Sequence, residues 1–415
     1  MTEAGPACLD PPRRVVLGVG GGIAAYKVCE VLRRLIEQGH QVRVVPTAAA
    51  LRFIGTPTWE ALSGTVVHHD VFADVAEVPH IRLGRSADLV VVAPATADLL
   101  ARAAQGQAGD LLTATLLTAR CPVLLVPAMH TEMWEHPATQ HNVGVLRSRG
   151  TIVAQPASGR LTGEDCGPGR LPEPTEIVEL ATLLLHRPDA LPFDLSGRRV
   201  VVSAGGTREP LDPVRYLGNR SSGRQGYALA RVAAQRGARV RMIAAHTAEL
   251  VDPAGVELVR VSTAREMLQA MLAAAQDADA VVMAAAVADF RPADARPYKI
   301  KKSGLEPPAP LSLALNPDIL AELVRRRRAG QVVVGFAAET ATSDQEVLSQ
   351  GQAKIAGKGC DLLVVNVVGE GRAFDVEHNS GWLLSDDGAQ IPLPEGPKAL
   401  LASYVWDAVA ARLSR

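Results

Sequence analysis

Three arginines and a group of amide and hydroxyl side chains follow a glycine break in the middle of the chain, and together they could bind a phosphorylated substrate. The stretch begins with the β-branched run 200–202, breaks at Gly205-Gly206 and re-enters a helix near Gly223. The cationic and hydrogen-bonding side chains lie between these points: Arg208, Arg215, Arg220, Asn219, Ser221 and Ser222. This is the layout of a nucleotide-binding turn at the carboxyl end of a parallel strand.

The polar loop from Thr207 to Ser222 is longer than a plain strand-to-helix connection, which usually takes about 2–6 residues. A long ordered loop at this edge of a sheet more often lines a site than merely connects two elements. The alternative is a solvated loop of ordinary surface arginines.

Five of the seven lysines fall in two clusters in a chain that otherwise uses arginine, as is expected where a compact ammonium group is needed. The first cluster is Lys299, Lys301 and Lys302. The second is Lys354 and Lys358, which are four residues apart on a predicted helix and can therefore both point at a triphosphate. The alternative is chance placement on solvated helices.

A carboxylate follows a small-residue segment, 285–288, at the end of a predicted strand. Small side chains there would let a base or a ribose approach closely. Asp289 could bind a ribose hydroxyl or a metal ion, or it could simply cap a helix or a turn.

The first half of the chain alternates strands and helices, which predicts a parallel, doubly wound sheet. The predicted strands are Val15–Val19, Gln41–Pro46, Asp88–Ala93 and Pro122–Pro127. The predicted helices are Ala24 to about Gln38, Ala97–Ala104, Asp110–Ala119 and Thr175–His186.

A glycine turn, Gly20-Gly21-Gly22, follows the first of these strands and partly fits a dinucleotide fingerprint. That fingerprint needs an acid near the end of the second strand to bind a ribose, and the strand ends here at Thr47 without one. The phosphate of a mononucleotide such as FMN is therefore a better fit than NAD. The turn would offer backbone N–H groups and a helix N-terminus to that phosphate, and Thr47 would add a hydroxyl group.

Further polar groups follow the third and fourth strands, at 94–98 and 127–130, and His80 precedes the third strand. A lone histidine is more often a surface or packing residue than a catalytic base, although its ordinary pKa suits it to either role.

The second half continues the strand–helix alternation after a polar, proline-containing stretch at 187–197, which predicts two domains, 1–190 and 191–415. The predicted strands are Arg239–Ala244, Glu257–Val261, Ala280–Ala284 and Val332–Phe336. The segment 316–318 is predicted to open a helix that continues through Arg328, with Pro317 in its first turn.

Composition narrows the class of protein further. The net charge of −1 gives no global indication of nucleic-acid or membrane binding. The five cysteines form no CxxC pair, which fits a reducing compartment without disulfides or a zinc site. No signal peptide is evident, and the apolar runs are too short to span a bilayer. We therefore expect a soluble, cytoplasmic protein.

Two groups of motifs carry a family resemblance that covers nearly the whole chain. The segments GGGIAAYK, HIRL, PATADLLARAAQG, PAMHTEMWEHPATQHN and GPGRL resemble the flavin-containing cysteine decarboxylases. The segments TREPLDPVRYLGNRSSGRQG, AAVADFRP, YKIKK, NPDIL and GFAAET resemble phosphopantothenate–cysteine ligase. Together they resemble the bifunctional bacterial enzymes of coenzyme A synthesis. The resemblance implies an α/β protein with two Rossmann-like domains, a flavodoxin-like decarboxylase domain and a doubly wound CTP-dependent ligase domain.

For the first domain the resemblance implies FMN as the cofactor and His80 as the active-site histidine. The implied flavin contacts are Gly20, Gly21, Gly22, Ile23, Ala24, Thr47, Pro94, Ala95, Thr96, Ala97 and Met129. Two positions depart from the family. The common asparagine is His130 here, and the position of the family's flap cysteine, which acts as the proton donor, is Gly163.

Cys166, three residues further along the flap, is the leading candidate for the missing proton donor. Glu164, Asp165 and His130 are the alternatives. We expect Gly163, Gly167 and Gly169 to let the flap adjust.

For the second domain the resemblance implies CTP and Mg²⁺, with an acyl-cytidylate that cysteine then captures. Lys299 matches the lysine of the first step, Asn219 matches the asparagine that holds the acyl-cytidylate, and Asp289 is the candidate metal ligand. The implied CTP contacts are Met283, Ala284, Ala285, Asp289, Lys299, Pro317, Asp318, Ile319, Leu320, Phe336, Lys354 and Lys358.

The implied substrates are 4′-phosphopantothenate, cysteine and CTP, and the implied assembly is a homo-oligomer. Decarboxylase domains would form trimers and ligase domains dimers, which together make a dodecamer. Two other interpretations fit the sequence less well. A tandem-Rossmann dehydrogenase lacks its ribose-binding acids, and a regulatory flavin-fold subunit would not need the ligase motifs.

Overall fold

The computed structural model describes residues 12–68, 70, 78–161, 165–301, 310–339, 343–367 and 378–414, apart from the side chains of Glu339 and Val367. The chain divides into two compact units, of which the first ends at Phe193 and the second begins at Asp194. Among the described residues, no helix combines the length and the apolar character needed to cross a membrane.

The first unit is built on a parallel five-stranded sheet with the order β2-β1-β3-β4-β5. Its strands are β1 Arg14–Val19, β2 Gln41–Pro46, β3 Leu89–Ala95, β4 Val123–Pro127 and β5 Ile152–Val153. This is the flavodoxin-like order, in which the connection reverses direction between β1 and β3. Ligands of such sheets bind outside the carboxyl ends of the strands at that reversal.

Eight helices and one antiparallel pair of strands complete the first unit. The helices are α1 Ala25–Glu37, α2 Thr56–Ser63, α3 Pro79–Ser86, α4 Ala97–Gln105, α5 Leu111–Thr118, α6 Thr131–Glu135, α7 Pro137–Ser148 and α8 Pro174–His186, with a 3₁₀ turn at Ala50–Arg52. The pair is β6 Ala157–Arg160 and β7 Cys166–Arg170. We call residues 157–170 the flap.

Local sequence explains these elements. Every residue of β3 is buried, as expected of a central parallel strand that carries helices on both faces. Helix α4 begins where the Thr96 hydroxyl accepts a hydrogen bond from the N–H of Leu99, and it ends at Gly106, whose φ of +67° is left-handed. Helix α5 begins with a capping box between Asp110 and Thr113.

The second unit is built on an eight-stranded sheet with the order β12-β11-β8-β13-β16-β17-β18-β19. Its strands are β8 Arg199–Ala204, β11 Arg239–Ala244, β12 Val256–Arg260, β13 Ala280–Met283, β16 Val332–Glu339, β17 Leu362–Val367, β18 His378–Ser385 and β19 Gln390–Pro397. The first six in this order pair in parallel, and β18 and β19 are antiparallel. The parallel part has the Rossmann order, with its reversal between β8 and β13.

Helices and two small sheets surround this core. The helices are α9 Arg224–Gln235, α10 Ala264–Ala275, α11 Ile319–Arg326, α12 Asp344–Lys358 and α13 Lys398–Leu413. The small sheets pair β9 Arg208–Pro210 with β10 Tyr216–Gly218, and β14 Phe290–Pro292 with β15 Leu313–Leu315.

The structure corrects two local predictions and adds one helix. The stretch 207–222 is not a continuous loop, because β9 and β10 pair within it. Helix α11 begins after Pro317, because the Asp318 carboxylate accepts the N–H of Ala321 and so caps the helix. His80 lies in a helix that sequence periodicity did not predict.

Candidate active sites

The glycine turn of the first unit lies directly against the end of β3. The N–H of Gly20 donates to the carbonyl oxygen of Pro94 at 3.1 Å, and a Cβ on Gly20 would lie 2.2 Å from the same oxygen. A Cβ on Gly21 would lie 2.3 Å from the Cβ of Ala49, whereas Gly22 has 3.7 Å to its nearest neighbours. Side chains at Gly20 and Gly21 would fill the turn, so its backbone is left open to a phosphate, and these residues fit such a group.

The hydroxyl groups predicted to help bind that phosphate already act as acceptors. Thr47 is buried, and its Oγ1 accepts the N–H of Ala50 at 3.1 Å, while Thr96 caps α4. Each hydroxyl proton can still be donated to a ligand. At the start of α1, residue Ala24 provides no side-chain cap, as is usual for a helix N-terminus that binds an anion.

His80 carries a polar atom that is buried without a hydrogen-bond partner. Its Nδ1 makes no hydrogen bond, while its carbonyl oxygen accepts the hydroxyl of Thr118 at 2.7 Å. Gly84 packs so closely on Thr118 that a Cβ would lie 2.2 Å from Oγ1, which fixes α3 against α5. Buried polar atoms normally have hydrogen-bond partners, so this ring nitrogen of His80 is a candidate to hydrogen-bond a ligand.

The flap packs against the segment that follows β4. The N–H of Met129 donates to the carbonyl oxygen of Gly169 at 2.9 Å, and a Cβ on Gly169 would lie 2.3 Å from the oxygen of Met129. Gly167 faces the Thr131 hydroxyl in the same way, and that hydroxyl is buried without a partner. Gly167 and Gly169 therefore serve close packing, and the expectation that they also let the flap adjust stays a prediction.

The two candidate proton donors therefore lie on segments that contact each other. Cys166 is exposed and pairs with Arg160 across the flap, and His130 is exposed at the start of α6. Asp165 is exposed as well, and its carbonyl oxygen accepts the N–H of Leu161. Gly163 and Glu164 lie outside the described residues.

An ion-pair cluster that the sequence analysis missed fastens the end of the flap to α1. Glu173 accepts hydrogen bonds from the ammonium group of Lys27 at 2.8 Å and from the guanidinium of Arg170. Only 14% of the Lys27 side chain is exposed. Because Lys27 lies in the first turn of α1, the cluster links the flap to the helix that follows the glycine turn. No sequence periodicity could have revealed a pair separated by more than a hundred residues.

In the second unit, side-chain amides and hydroxyls join the ends of β8 and β13 across the reversal of the sheet. Asn219 donates from Nδ2 to the carbonyl oxygen of Val287 at 3.0 Å, and Thr207 Oγ1 accepts the N–H of Ala288 at 2.9 Å. The carbonyl oxygen of Ala288 accepts the Nδ2 of Asn316 at 2.8 Å. The stretch 207–222 therefore lies at the edge where a Rossmann sheet binds its ligand.

The predicted CTP contacts described here lie in two places, at and just after the end of β13, and around α11 and β16. Met283 to Ala285 end β13, and Ser203 Oγ accepts the N–H of Ala285 at 3.0 Å. Leu320 packs on Gly335 next to Phe336 in β16, with 2.7 Å from its Cδ2 to a Cβ built on the glycine. Ile319 is buried as the first residue of α11.

Two of the predicted contacts bind each other, which the sequence analysis did not foresee. The Lys358 ammonium donates to the carboxylate of Asp318. Burial opposes ionisation of Asp318, but the hydrogen bonds from Lys358 and Ala321 outweigh it, so the pKa of this carboxyl lies below its ordinary value. Lys354 and Lys299 are exposed.

The candidate metal ligand Asp289 is exposed, and its carbonyl oxygen accepts the N–H of Asn316. In the part of the chain that the structure describes, no group of three or more His, Cys, Asp or Glu side chains could hold a metal ion.

A cavity of about 620 Å³, which includes none of the predicted site residues, lies at the ends of β11 and β12. His246 in its wall shares a hydrogen bond of 2.9 Å with Ser262. Burial and then the charge of Arg208 lower the pKa of His246 below its ordinary value.

These features define a class: α/β proteins with two units, each built on a sheet that carries polar side chains or a glycine turn at its reversal. Residues 6–186 match the family model described as Flavoprotein, and residues 195–413 match the DNA/pantothenate metabolism flavoprotein C-terminal domain.

The comparisons with whole proteins are more specific. The chain is 62% identical over 408 residues to a coenzyme A biosynthesis bifunctional protein CoaBC from Mycobacterium tuberculosis, covering 97% of each chain. It is 41% identical over 404 residues to the Escherichia coli protein of the same name, covering 96% of this chain and 97% of the other. A crystal structure of a CoaBC C-terminal domain is 32% identical with a TM-score of 0.44, over 53% of this chain and 98% of that one.

The chain belongs to the CoaBC family of bifunctional coenzyme A biosynthesis proteins. The predicted fold class and the predicted bifunctional enzyme, with a decarboxylase half and a ligase half that catalyse two steps of coenzyme A biosynthesis, are thereby confirmed.

Proposed function

We propose that residues 1–190 form an FMN-dependent decarboxylase of 4′-phosphopantothenoylcysteine, and that residues 191–415 form a CTP-dependent ligase of 4′-phosphopantothenate and cysteine. The observation that carries this proposal is that the candidate residues of each unit lie at the reversal of its own sheet. The glycine turn lies between β1 and β3, and the bonds of Asn219 and Thr207 lie between β8 and β13.

The ligase begins with attack of the 4′-phosphopantothenate carboxylate on the α-phosphorus of CTP. An oxygen–phosphorus bond forms, the bond to the β-phosphate breaks, and pyrophosphate leaves. Negative charge develops on the phosphates during this step. We assign its neutralisation to the ammonium group of Lys299, which lies on an exposed segment, with help from Lys354 and Lys358. Magnesium, with Asp289 as its protein ligand, would add positive charge at the same phosphates.

The second step is attack of the cysteine amine on the acyl carbon, with CMP as the leaving group. Asn219 supports the acyl-cytidylate because its amide has a fixed orientation. One N–H is used by the carbonyl of Val287, which leaves the second N–H and Oδ1 for the intermediate. The small residues at 284–286 leave room for the nucleotide.

In the decarboxylase, FMN would be held by the glycine turn with Thr47, Thr96 and Met129, and when bound it supplies a two-electron acceptor that also returns the electrons. His80 has the buried ring nitrogen suited to orienting the substrate or holding its proton. Cys166, or else His130, supplies a proton to the carbon that loses carbon dioxide. In this proposal the flap would close over the bound flavin and exclude water from it.

The test is incubation of the full chain with 4′-phosphopantothenate, cysteine, CTP and Mg²⁺, with products identified by mass. We expect 4′-phosphopantetheine, CMP, pyrophosphate and carbon dioxide, together with a visible flavin absorbance. The His80→Asn variant should retain the flavin and stop at 4′-phosphopantothenoylcysteine. Formation of the same product without CTP, or by a chain that binds no flavin, would contradict the proposal.

We also propose that the protein is a cytoplasmic homo-oligomer built from trimers of the first unit and dimers of the second. Large apolar side chains on both units support this, among them Ile23 at 74% exposure and Val214 at 61%. Sedimentation equilibrium of the full chain would determine the assembly, and a monomer at micromolar concentration would contradict it.

A further inference from the structure

Asp212 has a completely buried carboxylate within an otherwise exposed loop. None of its side-chain surface is accessible, whereas its neighbours Val214 and Arg215 are exposed. Burial opposes ionisation, but hydrogen bonds from Arg215, Val214 and Ile300 outweigh it and keep the pKa of Asp212 well below its ordinary value. The residue is therefore a buried anion, and its two oxygens have different partners.

The first oxygen, Oδ1, closes the turn between β9 and β10. It accepts the N–H groups of Val214 and Arg215, each at 2.8 Å. Such bonds to the backbone two and three residues further on are the usual role of an aspartate in a turn.

The second oxygen, Oδ2, binds a segment that is distant in sequence. It accepts Nε and Nη2 of Arg215, at 3.0 and 2.6 Å, and the N–H of Ile300 at 3.1 Å. Arg215 Nη2 also donates to the carbonyl oxygen of Ile300 at 2.6 Å. Both backbone polar groups of Ile300 are thus bound by one ion pair.

A third bond joins the same two segments, from the N–H of Arg296 to the carbonyl oxygen of Leu211 at 2.9 Å. The residues from 296 to 300 belong to neither a helix nor a strand, and these bonds tie them to the loop between β9 and β10. The residue just before Ile300 is Lys299, the lysine proposed for the first ligase step.

We propose that Asp212 is a positioning residue of the ligase, which fixes the backbone at Ile300 through Oδ2 and Arg215 and thereby holds Lys299 at the phosphates of CTP. This inference rests on the proposed function of the second unit. A long, flexible side chain stabilises a developing charge only where its base is fixed, and a displacement of about 1 Å can lower a rate on the order of a hundredfold. Asp212 itself does not touch the substrate.

The different roles of the two oxygens allow a selective variant. In Asp212→Asn the remaining oxygen can still close the turn, while an NH₂ group replaces Oδ2 and faces the N–H donors of Arg215 and Ile300. The turn is kept, whereas the bond from the N–H of Ile300 to Oδ2 and the ion pair that orients Arg215 are lost. The matched control is Asp277→Asn, which breaks the exposed pair between Asp277 and Arg199 in the same unit.

The experiment measures pyrophosphate release from CTP and 4′-phosphopantothenate in a single turnover without cysteine, together with hydrogen–deuterium exchange of the peptide that contains Ile300. In the full chain, Asp212→Asn should slow pyrophosphate release by about 10- to 100-fold and speed exchange at Ile300. Asp277→Asn should change neither. In a Lys299→Ala background, Asp212→Asn should produce little further loss, because both act through one ammonium group.

Three results would each overturn this inference without affecting the proposed function. They are normal pyrophosphate release by Asp212→Asn, unchanged exchange at Ile300, and a full multiplicative loss of rate in the double variant. If Lys299→Ala itself releases pyrophosphate normally, the proposed role of Lys299 fails and the inference fails with it. Should Asp212→Asn not fold, Arg215→Lys replaces it, because a lysine cannot bind Asp212 through two donors and Ile300 at once. Normal release by that variant, with faster exchange at Ile300, would also overturn the inference.

Discussion

Replacing Gly20 with alanine should unfold the glycine turn from the end of β3 and release the flavin. A Cβ on Gly20 would lie 2.2 Å from the carbonyl oxygen of Pro94, about 1.2 Å short of the 3.4 Å at which ordinary contact begins. That oxygen also accepts the N–H of Gly20. It belongs to a strand that is buried along its whole length, so neither partner can move without disturbing the sheet.

The expected loss of stability follows from two effects. Forcing an extra carbon into a packed site costs about 1–3 kcal/mol. Losing the hydrogen bond between Gly20 and Pro94 costs about 1 kcal/mol more. The sum of about 2–4 kcal/mol corresponds to a 30- to 1,000-fold increase, roughly, in the unfolded fraction of the first unit.

The matched control is Gly22→Ala, two residues along the same turn. Its Cβ would have 3.7 Å to its nearest neighbours, the side chains of Pro94 and Thr96, and Gly22 has no positive φ. We expect a change between zero and a gain of about 1 kcal/mol, because alanine restricts the unfolded chain. Any loss of flavin affinity at Gly22 would then report contact with the phosphate rather than unfolding.

The assay is urea unfolding of the flavin-free chain, followed by tryptophan fluorescence. Trp59 and Trp134 are buried in the first unit and report its unfolding. The unfolding transition of this unit is identified as the one whose midpoint moves to a higher urea concentration when FMN is added. Flavin retention is read from the visible absorbance of the purified protein. Equal midpoints for Gly20→Ala and Gly22→Ala would refute the reasoning.

Four further predictions follow from the same structure. Lys299→Ala should slow pyrophosphate release strongly but leave decarboxylation of supplied 4′-phosphopantothenoylcysteine intact, and equal loss of both in a folded variant would contradict this. Asn219→Asp should slow cysteine capture by at least tenfold, roughly, because its carboxylate would face the carbonyl oxygen of Val287 and lose an amide donor; unchanged yield and rate would refute the assignment. Cys166→Ser, given 4′-phosphopantothenoylcysteine, should accumulate an oxidised, decarboxylated product, and a normal rate of the reduced product would make His130 the next residue to mutate. Burial of Asp110 is outweighed by hydrogen bonds from Arg102 and Thr113, which lower the pKa of this carboxyl. The ionised Asp110 should therefore stabilise the fold above about pH 4, and this contribution should be lost below it. The urea midpoints of Asp110→Asn and the original chain should differ at neutral pH and converge in acid.

Most of the central strands could be predicted because their signal is local. The predicted bounds of β2 and β11 agree with the structure, and those of β1 and β4 differ by one residue at one end. Buried parallel strands are continuous β-branched and apolar runs, and the glycines and prolines that flank them are equally visible in the sequence.

The missed features depend on partners that are distant in sequence. The pairing of β9 with β10 surrounds Asp212, one oxygen of which binds a residue 88 positions away. The ion pair between Lys358 and Asp318 spans 40 positions. Residue types in the sequence indicate which side chains can bind a phosphate, but they do not indicate which of them are already bound to another residue.

The flap shows a role of glycine that residue type alone does not indicate. Its glycines suggested freedom of movement, yet Gly167 and Gly169 are glycines because Thr131 and the carbonyl of Met129 occupy the space of a side chain. The root of the flap is therefore fixed on the segment that carries His130. Cys166 is exposed and comes immediately before that root. The two leading candidates for the proton donor, Cys166 and His130, therefore lie on segments that contact each other, and the product formed by Cys166→Ser distinguishes between them.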